Sequence, residues 1–156
     1  MLSRCFSLLV AVLALVQTVP AMAQTGLITK PSNYSAGVTL DRLEAALKER
    51  GFTIFTRIDH AAAAAGVELK MPAATVLVFG NPRFGTPSFL RQPSLAIDLP
   101  LKALVYEDAA GKVFIAYNSA EYVLGTIYGR HGVPVDPDAK AHIERVLAEA
   151  TESAAQ

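Results

Sequence analysis

The sequence predicts a single α+β domain, because segments of helical and of strand periodicity alternate along a chain of 156 residues. Leu40, Leu43 and Leu47 recur at the spacing of one helix face. Residues 75–79 are apolar throughout, which is typical of a strand covered on both faces. Residues 101–117 contain two strand patterns around a short glycine-containing turn, which indicates a β-hairpin. These observations predict one compact domain with a mixed sheet of about five strands and helices packed on it.

The first half of the chain predicts a strand, a helix and a second strand. Residues 26–33 favour an extended segment. Thr39 is expected to cap a helix that runs to Arg50 and stops at Gly51. Residues 52–58 then alternate between apolar and polar side chains. This order and spacing favour a right-handed βαβ crossover, with the hairpin following it.

Short helices are predicted on both sides of the apolar strand. Asp59 can cap a helix through the run of five alanines, which Gly66 would end. Residues 87–91 leave room for one or two helical turns between prolines. The prolines and glycines of this region predict turns that end one strand and start the next.

Two further helices are predicted in the last third of the chain. Asn118 and Glu121 form a candidate capping pair for a helix that ends near Tyr128. Asp136 is expected to cap the last helix, with Pro137 at its first position. The small and polar tail, 151–156, is expected to fray.

Residues 1–23 have the pattern of a secretory signal peptide. Arg4 precedes an apolar run at 6–16, and Ala-Met-Ala at 21–23 forms a small-x-small cleavage site before Gln24. The alternative is a membrane anchor, but this run is shorter than the ~20 residues that span a bilayer. We therefore expect a periplasmic or secreted protein without stable membrane insertion after cleavage. The expected domain occupies 24–133, and 134–156 forms a C-terminal helix and short tail.

Composition excludes several functional classes. The only cysteine, Cys5, would be lost with the signal peptide, so the mature chain has no disulfide, thiol nucleophile or thiolate metal site. Loss of Arg4 changes the formal net charge from zero to −1. A chain without excess positive charge gives no electrostatic reason to expect nucleic-acid binding.

Several motifs resemble a known family when taken together. They are RLEAALKERGF at 42–52, RIDHAAAA at 57–64, TVLVFGNPRFGT at 75–86, IDLPLKALVYEDAAGKV at 97–113 and the later Tyr128…Arg130-His131-Gly132. Their order resembles the domain of unknown function 302 family over about 26–133. The resemblance implies a small α+β domain and a homodimer. The activity of the family is undefined, so the resemblance carries no catalytic residues or cofactor to this chain.

His60 is the first candidate functional residue. It follows a predicted strand and begins a predicted helix, with Asp59 beside it. One interpretation makes His60 a metal ligand or general base that a carboxylate orients. The alternative is that Asp59 caps the helix and His60 bonds to nearby backbone.

His131 is the second candidate. It lies in a predicted loop between Arg130 and Gly132, where it could also be a plain surface residue. If His60 and His131 converge, they could hold zinc, copper or a haem iron with Asp59 or Glu121. The sequence contains no metal-binding spacing such as HxH or HExxH, and the third histidine, His142, is expected to be solvated.

Asn81 and Arg83 follow the predicted central strand directly. In α/β sheets, ligands gather beyond the carboxyl ends of the strands, so both are candidate ligand-binding residues. Arg83 and Arg91 could grip a carboxylate or phosphate. The alternative is a local turn around Asn81 with solvated arginines. No phosphate-loop or GxSxG motif is present.

Three functional hypotheses remain open. The first is an exported protein that is not an enzyme and binds a small ligand or metal through Asp59, His60, Asn81, Arg83 and His131. The second is a small periplasmic enzyme with His60 as base and Arg83 as anion clamp. The third is a structural or interaction module with 84–93 as its contact loop.

Overall fold

The computed structural model describes residues 26–156, so the predicted signal peptide lies outside the described residues. Five strands and five helices follow one another in this range, with a 3₁₀ helix at Pro93–Ile97 and a π-helical segment at Glu121–Ile127. The strands are β1 Leu27–Ser32, β2 Thr53–Asp59, β3 Ala74–Gly80, β4 Leu101–Glu107 and β5 Val113–Asn118. The helices are α1 Ala36–Glu49, α2 His60–Ala65, α3 Pro82–Arg91, α4 Tyr128–Arg130 and α5 Pro137–Ala155.

The α+β class and the five-stranded sheet are confirmed, but the expected mixed pairing is wrong. The strand order is β1-β5-β4-β3-β2, and each neighbouring pair is antiparallel. Consequently β1 and β2 run in the same direction but form the two edges of the sheet, with three strands between them. Although β1, α1 and β2 follow one another along the sequence, β1 and β2 therefore do not form the adjacent parallel pair of a βαβ unit. The hairpin of β4 and β5 is confirmed.

One face of the sheet forms the core. Leu77 pairs with Ala103, which pairs with Tyr117, and all three face the same side. This side packs against the buried leucines of α1 and the inner stripe of α5, including Leu147. Phe79 lies in the same layer and makes an edge-on contact with Phe52, with ring centroids 5.4 Å apart. The alternation of these positions along each strand follows from the two-residue period of β structure.

The opposite face is also apolar, and neither α1 nor α5 covers it. It carries Val76 and Leu104, which pair across β3 and β4, and Tyr106, which pairs with Phe114. The Tyr106 and Phe114 rings stack with centroids 5.4 Å apart. Antiparallel sheets commonly have a solvated second face, but such a face is usually polar.

Helix α1 begins earlier than the sequence predicts. Its cap is Ser35, whose hydroxyl accepts a hydrogen bond from the Val38 amide. Thr39 is instead fully buried inside the first turns, where its hydroxyl lies 2.8 Å from that of Ser32. Both residues are good cap formers, and tertiary burial decides between them. Gly51 ends the helix region with φ +79°, a left-handed conformation that favours glycine.

The segment after β3 is more helical than expected. Helix α3 begins directly at Pro82 and contains Pro87 rather than starting after it. Pro87 is the sixth residue of α3, where it has no N–H to donate to the Arg83 carbonyl. The predicted contact loop, 84–93, is thus mostly helix and 3₁₀ turn.

Two cap predictions for the last third have different outcomes. The Tyr122 amide donates to Ser119, so Ser119 rather than Asn118 caps the π-helical segment. Asp136 caps α5 as predicted, by accepting from the Asp138 amide at 3.0 Å.

The expected fraying of 151–156 is wrong. Helix α5 extends to Ala155, and Thr151 and Ala154 are buried. The Ala155 carbonyl accepts from the Asn33 amide at 2.9 Å. The end of the chain is therefore tied to the loop before α1.

Candidate functional site

The predicted site residues fall at two different ends of the sheet. Asp59 pairs with Thr75 at the start of β3, whereas Thr53 pairs with Gly80 at its end. Asp59 and His60 therefore lie at one end, and Asn81 lies at the other, about 17 Å of strand away at ~3.4 Å per residue. The rule that placed them together applies to parallel strands, whose carboxyl ends share one edge. In this antiparallel sheet, consecutive neighbours end on opposite sides.

Asp59 has the structural role that the sequence allowed as an alternative. Its carboxylate accepts from the Ala62 amide at 2.9 Å and caps α2. His60 is exposed in the first turn of that helix. Among residues 26–156, no group of three or more His, Cys, Asp and Glu side chains is positioned to hold a metal ion.

Asn81 also serves the fold. Its side-chain carbonyl accepts from the Arg83 amide at 3.0 Å and caps α3, while its amide group donates to the Gly51 carbonyl at 3.1 Å. This second bond joins the start of α3 to the turn after α1. The Arg83 side chain is exposed. An enzyme with His60 as base and Arg83 as clamp would need these residues at one place, which the sheet prevents.

Among the predicted site residues, His131 has a side chain with polar partners at both ring nitrogens. Its Nε2 is 2.7 Å from Oδ2 of Asp98, and its Nδ1 is 2.8 Å from Oγ of Ser94. Gln92 donates to the same hydroxyl at 2.9 Å, and Arg130 pairs with Asp98 at 2.7 Å. We call these five residues the His131 cluster. The imidazole is only 9% exposed, whereas the Arg130 side chain is 56% exposed.

The fold explains why the His131 cluster forms. Ser94 and Asp98 lie on the connection that carries the chain from α3 into β4, and His131 follows α4 after β5. Since β4 starts and β5 ends at the same end of the sheet, these two connections meet there. Sequence reasoning missed Gln92, Ser94 and Asp98 because they are separated from His131 by more than thirty residues.

His60 and His131 do not share a site. His131 contacts Asp98, which precedes Leu101, and Leu101 pairs with Phe79 at the far end of β3 from Asp59. The strand between Thr75 and Phe79 alone spans ~14 Å. This separation is incompatible with a shared ion, since metal–nitrogen bonds are about 2.0–2.1 Å. His142 is exposed, as predicted.

A second cluster of charges lies on the α1 side of β2. Arg57 pairs with Asp41 at 2.8 Å and with Glu44 at 2.6 Å, and Lys48 pairs with Glu44 at 2.6 Å. The hydrogen bonds from Lys48 and Arg57 hold the pKa of Glu44 below its usual value. Each charged side chain in this cluster is paired with one of opposite charge. We therefore interpret the cluster as an electrostatic contact between α1 and β2 rather than as a ligand site.

Two of the cavities in the described part of the chain are lined by charged side chains. A cavity of about 20 Å³ adjoins Asp98, between the sheet end and the π-helical segment. It holds little more than one water molecule. A groove of about 250 Å³ lies between α5 and the β1–β5 edge and contains Lys30 and Glu144. The Lys30 ammonium is already bound to the Ala148 carbonyl and to Glu152, each at 3.2 Å.

The model of the family described as "Domain of unknown function DUF302" matches residues 28–150. The chain belongs to this family. A solved structure of an uncharacterized conserved DUF302 protein from Bacillus stearothermophilus has a similar fold, with a TM-score of 0.68 at 22% identity. The similarity covers 83% of this chain and 98% of that one. The family predicted from the sequence motifs is thus confirmed.

Curated relatives of this DUF302 chain are longer proteins. It is 36% identical over 107 residues to "Fluoride-specific ion channel FluC 1" of Brucella suis biovar 1 (strain 1330) and to "Fluoride-specific ion channel FluC 2" of Brucella melitensis biotype 1 (strain ATCC 23456 / CCUG 17765 / NCTC 10094 / 16M). The match covers 67% of this chain but 42% and 40% of those proteins. Within residues 26–156, no helix has the length and apolar character required to cross a membrane.

Proposed function

We propose that this DUF302 protein is exported and binds a small polar ligand at the His131 cluster. The observation that carries the proposal is the convergence of Ser94, Asp98 and His131 from two separate connections. Sites that bind small molecules use a few polar groups whose positions are fixed by the fold. The bonds to both ring nitrogens fix the orientation of the His131 imidazole.

The exposure of Arg130 supports this location for a ligand. One edge of its guanidinium pairs with Asp98, but more than half of the side chain remains open to solvent. A guanidinium has five N–H donors, so donors remain for an anionic or carbonyl-containing ligand. We thus place the ligand site at the His131 cluster rather than at Asp59 and His60, which lie at the opposite end of the sheet, or at Asn81 and Arg83.

Thermal unfolding with a panel of small carboxylates, phosphate and fluoride tests the proposal. We expect one class of ligand to raise the unfolding temperature of the wild type, and His131→Ala or Arg130→Ala to abolish the increase. There are two matched controls. His60→Ala removes an exposed histidine at the sheet end opposite to His131, and Arg83→Ala removes an exposed arginine at the same sheet end as His131. A ligand whose effect disappears in His60→Ala and persists in His131→Ala would show that the site is elsewhere.

Export is proposed from the signal-peptide pattern of residues 1–23. Mass spectrometry of the protein from periplasmic and culture fractions should find Gln24 at the N-terminus. An intact N-terminus in the cytoplasmic fraction alone would contradict this proposal.

We also propose a homodimer in which a second copy covers the apolar sheet face. Val76, Leu104, Tyr106 and Phe114 of this face are apolar or aromatic and only half-buried, and a two-fold axis can pair such a surface with itself. We expect sedimentation at tens of micromolar to show a dimer, and Leu104→Glu to shift it to monomer. Leu90→Glu, at an exposed leucine of α3, is the matched control. A wild-type monomer at this concentration would refute the dimer.

A second candidate function is an accessory role in fluoride handling. It is favoured by the relatives from Brucella, in which a region similar to this chain forms part of proteins named fluoride-specific ion channels. Deletion of the gene should then lower the fluoride concentration that stops growth, and re-expression should restore it. Unchanged growth across fluoride concentrations would remove the support for this candidate.

A further inference from the structure

We propose that Ser94, His131 and Asp98 form a nucleophile, base and positioning carboxylate for acyl transfer, with esters of small apolar acids as the substrate class. This inference rests on the proposed ligand site at the His131 cluster and adds a reaction to it. Such relays are recognised by geometry: nucleophile and base lie within about 2.6–3.2 Å, and a third group orients the base. Here the two distances are 2.8 Å and 2.7 Å.

The short contact to Asp98 determines the tautomer of His131. If Nε2 carried a lone pair, it would face a carboxylate oxygen at 2.7 Å, and two acceptors would repel each other. Nε2 therefore carries the hydrogen and donates it to Asp98. In the neutral ring, Nδ1 is then the acceptor and is aimed at the Ser94 hydroxyl. Arg130 Nε–H also points at Nε2, at 3.3 Å, but this contact is longer than the 2.7 Å contact between Nε2 and Asp98, and the Arg130 Nη2 group pairs with Asp98.

The surroundings of Ser94 suit an attacking hydroxyl. The base is nearly buried, but Ser94 itself is exposed and can be reached by a substrate. The Gln92 side-chain amide donates to the Ser94 oxygen at 2.9 Å and so fixes the position of the hydroxyl.

The apolar acyl group is predicted from the neighbour of Ser94 on the 3₁₀ helix. Side chains three residues apart eclipse one another in a 3₁₀ helix, so Ile97 lies on the same side as Ser94. Ile97 is 78% exposed, so its side chain is accessible to a bound molecule. The Ile97 side chain therefore offers a contact surface for the short alkyl chain of an acyl group.

The reaction proceeds in two balanced steps. Ser94 Oγ forms a bond to the acyl carbon, the ester C–O bond breaks, and the serine proton passes through His131 Nδ1 to the leaving oxygen. Water then attacks the acyl carbon and gives a proton to Nδ1. The bond to Ser94 breaks, the proton returns to Oγ, and the carboxylic acid leaves. Asp98 holds the ring and stabilises its charged form in both steps without being protonated itself.

A fluorophosphonate probe and p-nitrophenyl butyrate test the inference on the mature full-length chain. We expect one probe molecule on Ser94, located by peptide mass spectrometry, and ester hydrolysis that Ser94→Ala lowers to background. Asp98→Asn should slow hydrolysis about 10²- to 10⁴-fold and change the pH profile, because a neutral amide cannot stabilise the charged ring and can turn its N–H₂ group to Nε2, which reverses the tautomer. Ile97→Ser should raise KM for the butyrate ester more than for the acetate ester.

Ser153→Ala is the matched control, since Ser153 is an exposed serine whose hydroxyl bonds to the Glu149 carbonyl of its own helix. It should label and hydrolyse like the wild type. Circular dichroism melts of all variants establish that each is folded under the assay conditions. Equal labelling of wild type and Ser94→Ala, or no labelling of wild type, would overturn the inference. Ligand-induced thermal stabilisation without labelling would overturn the acyl transfer and leave the binding proposal standing, whereas loss of both would overturn both.

Discussion

Removing the Asp98 carboxylate should destabilise the protein by about 2–3 kcal/mol. In Asp98→Ala, the His131 Nε2–H loses its acceptor in a place where the imidazole is only 9% exposed. A buried donor without a partner costs about 1–3 kcal/mol. The Arg130 pair is also lost, but its guanidinium is largely solvated and such pairs contribute about 0.2–1 kcal/mol. The unpaired imidazole therefore accounts for most of the expected loss.

Urea denaturation measures this loss and separates its two parts. With a slope of about 1.5 kcal/mol per molar urea, the midpoint should fall by roughly 1–2 M in Asp98→Ala. Arg130→Ala removes only the solvated pair, and Asp98→Asn retains a carbonyl acceptor, so both should lose about 1 kcal/mol or less. If Asp98→Ala loses no more stability than Arg130→Ala, the His131–Asp98 bond does not make the larger contribution.

Two further predictions concern the fold. Because the pKa of Glu44 is lowered by Lys48 and Arg57, its contribution to stability is present above the unfolded pKa and is lost as pH falls through the folded value. Arg57→Gln should therefore cost about 0.2–1 kcal/mol at pH 7 and less at pH 3, measured by urea denaturation at both pH values; an equal cost at both would contradict the linkage. Gly26→Ala should cost about 1–3 kcal/mol in the same assay, because Gly26 has φ +75° and a Cβ there would lie 2.4 Å from Tyr122 Cβ. Gly37→Ala, where a Cβ meets nothing within 4 Å, should be neutral or stabilising by up to about 1 kcal/mol, and a similar loss in both variants would contradict the steric explanation.

Local patterns predicted the elements well because each reports on a few neighbouring residues. The stop at Gly51, the cap at Asp136 and the strand at 75–79 all depend on backbone conformation or periodicity within one segment. The cap of α1 was misplaced because Ser35 and Thr39 carry the same local signal. Burial of Thr39 against Ser32 decides between them, and burial is a property of the folded chain.

Pairing between strands was less predictable. The order strand, helix, strand along the sequence is compatible with two adjacent parallel strands. It is equally compatible with two parallel edge strands that three other strands separate. Pro31 is compatible with the second arrangement, since proline in a sheet is found at edges, and Pro31 lies in β1 at an edge. The sequence alone contains no comparable signal that would place β5 and β4 between β1 and the rest.

The candidate site follows from this pairing. An antiparallel sheet separates the carboxyl ends of neighbouring strands, so Asp59 and Asn81 could not meet, although both follow strands. A polar site must then come from connections that arrive at the same sheet end. The lead into β4 and the segment after β5 do so, and they bring Asp98 to His131. His131 was identifiable as a titratable residue in a loop, but its partners depend on the strand order, which only the folded chain determines.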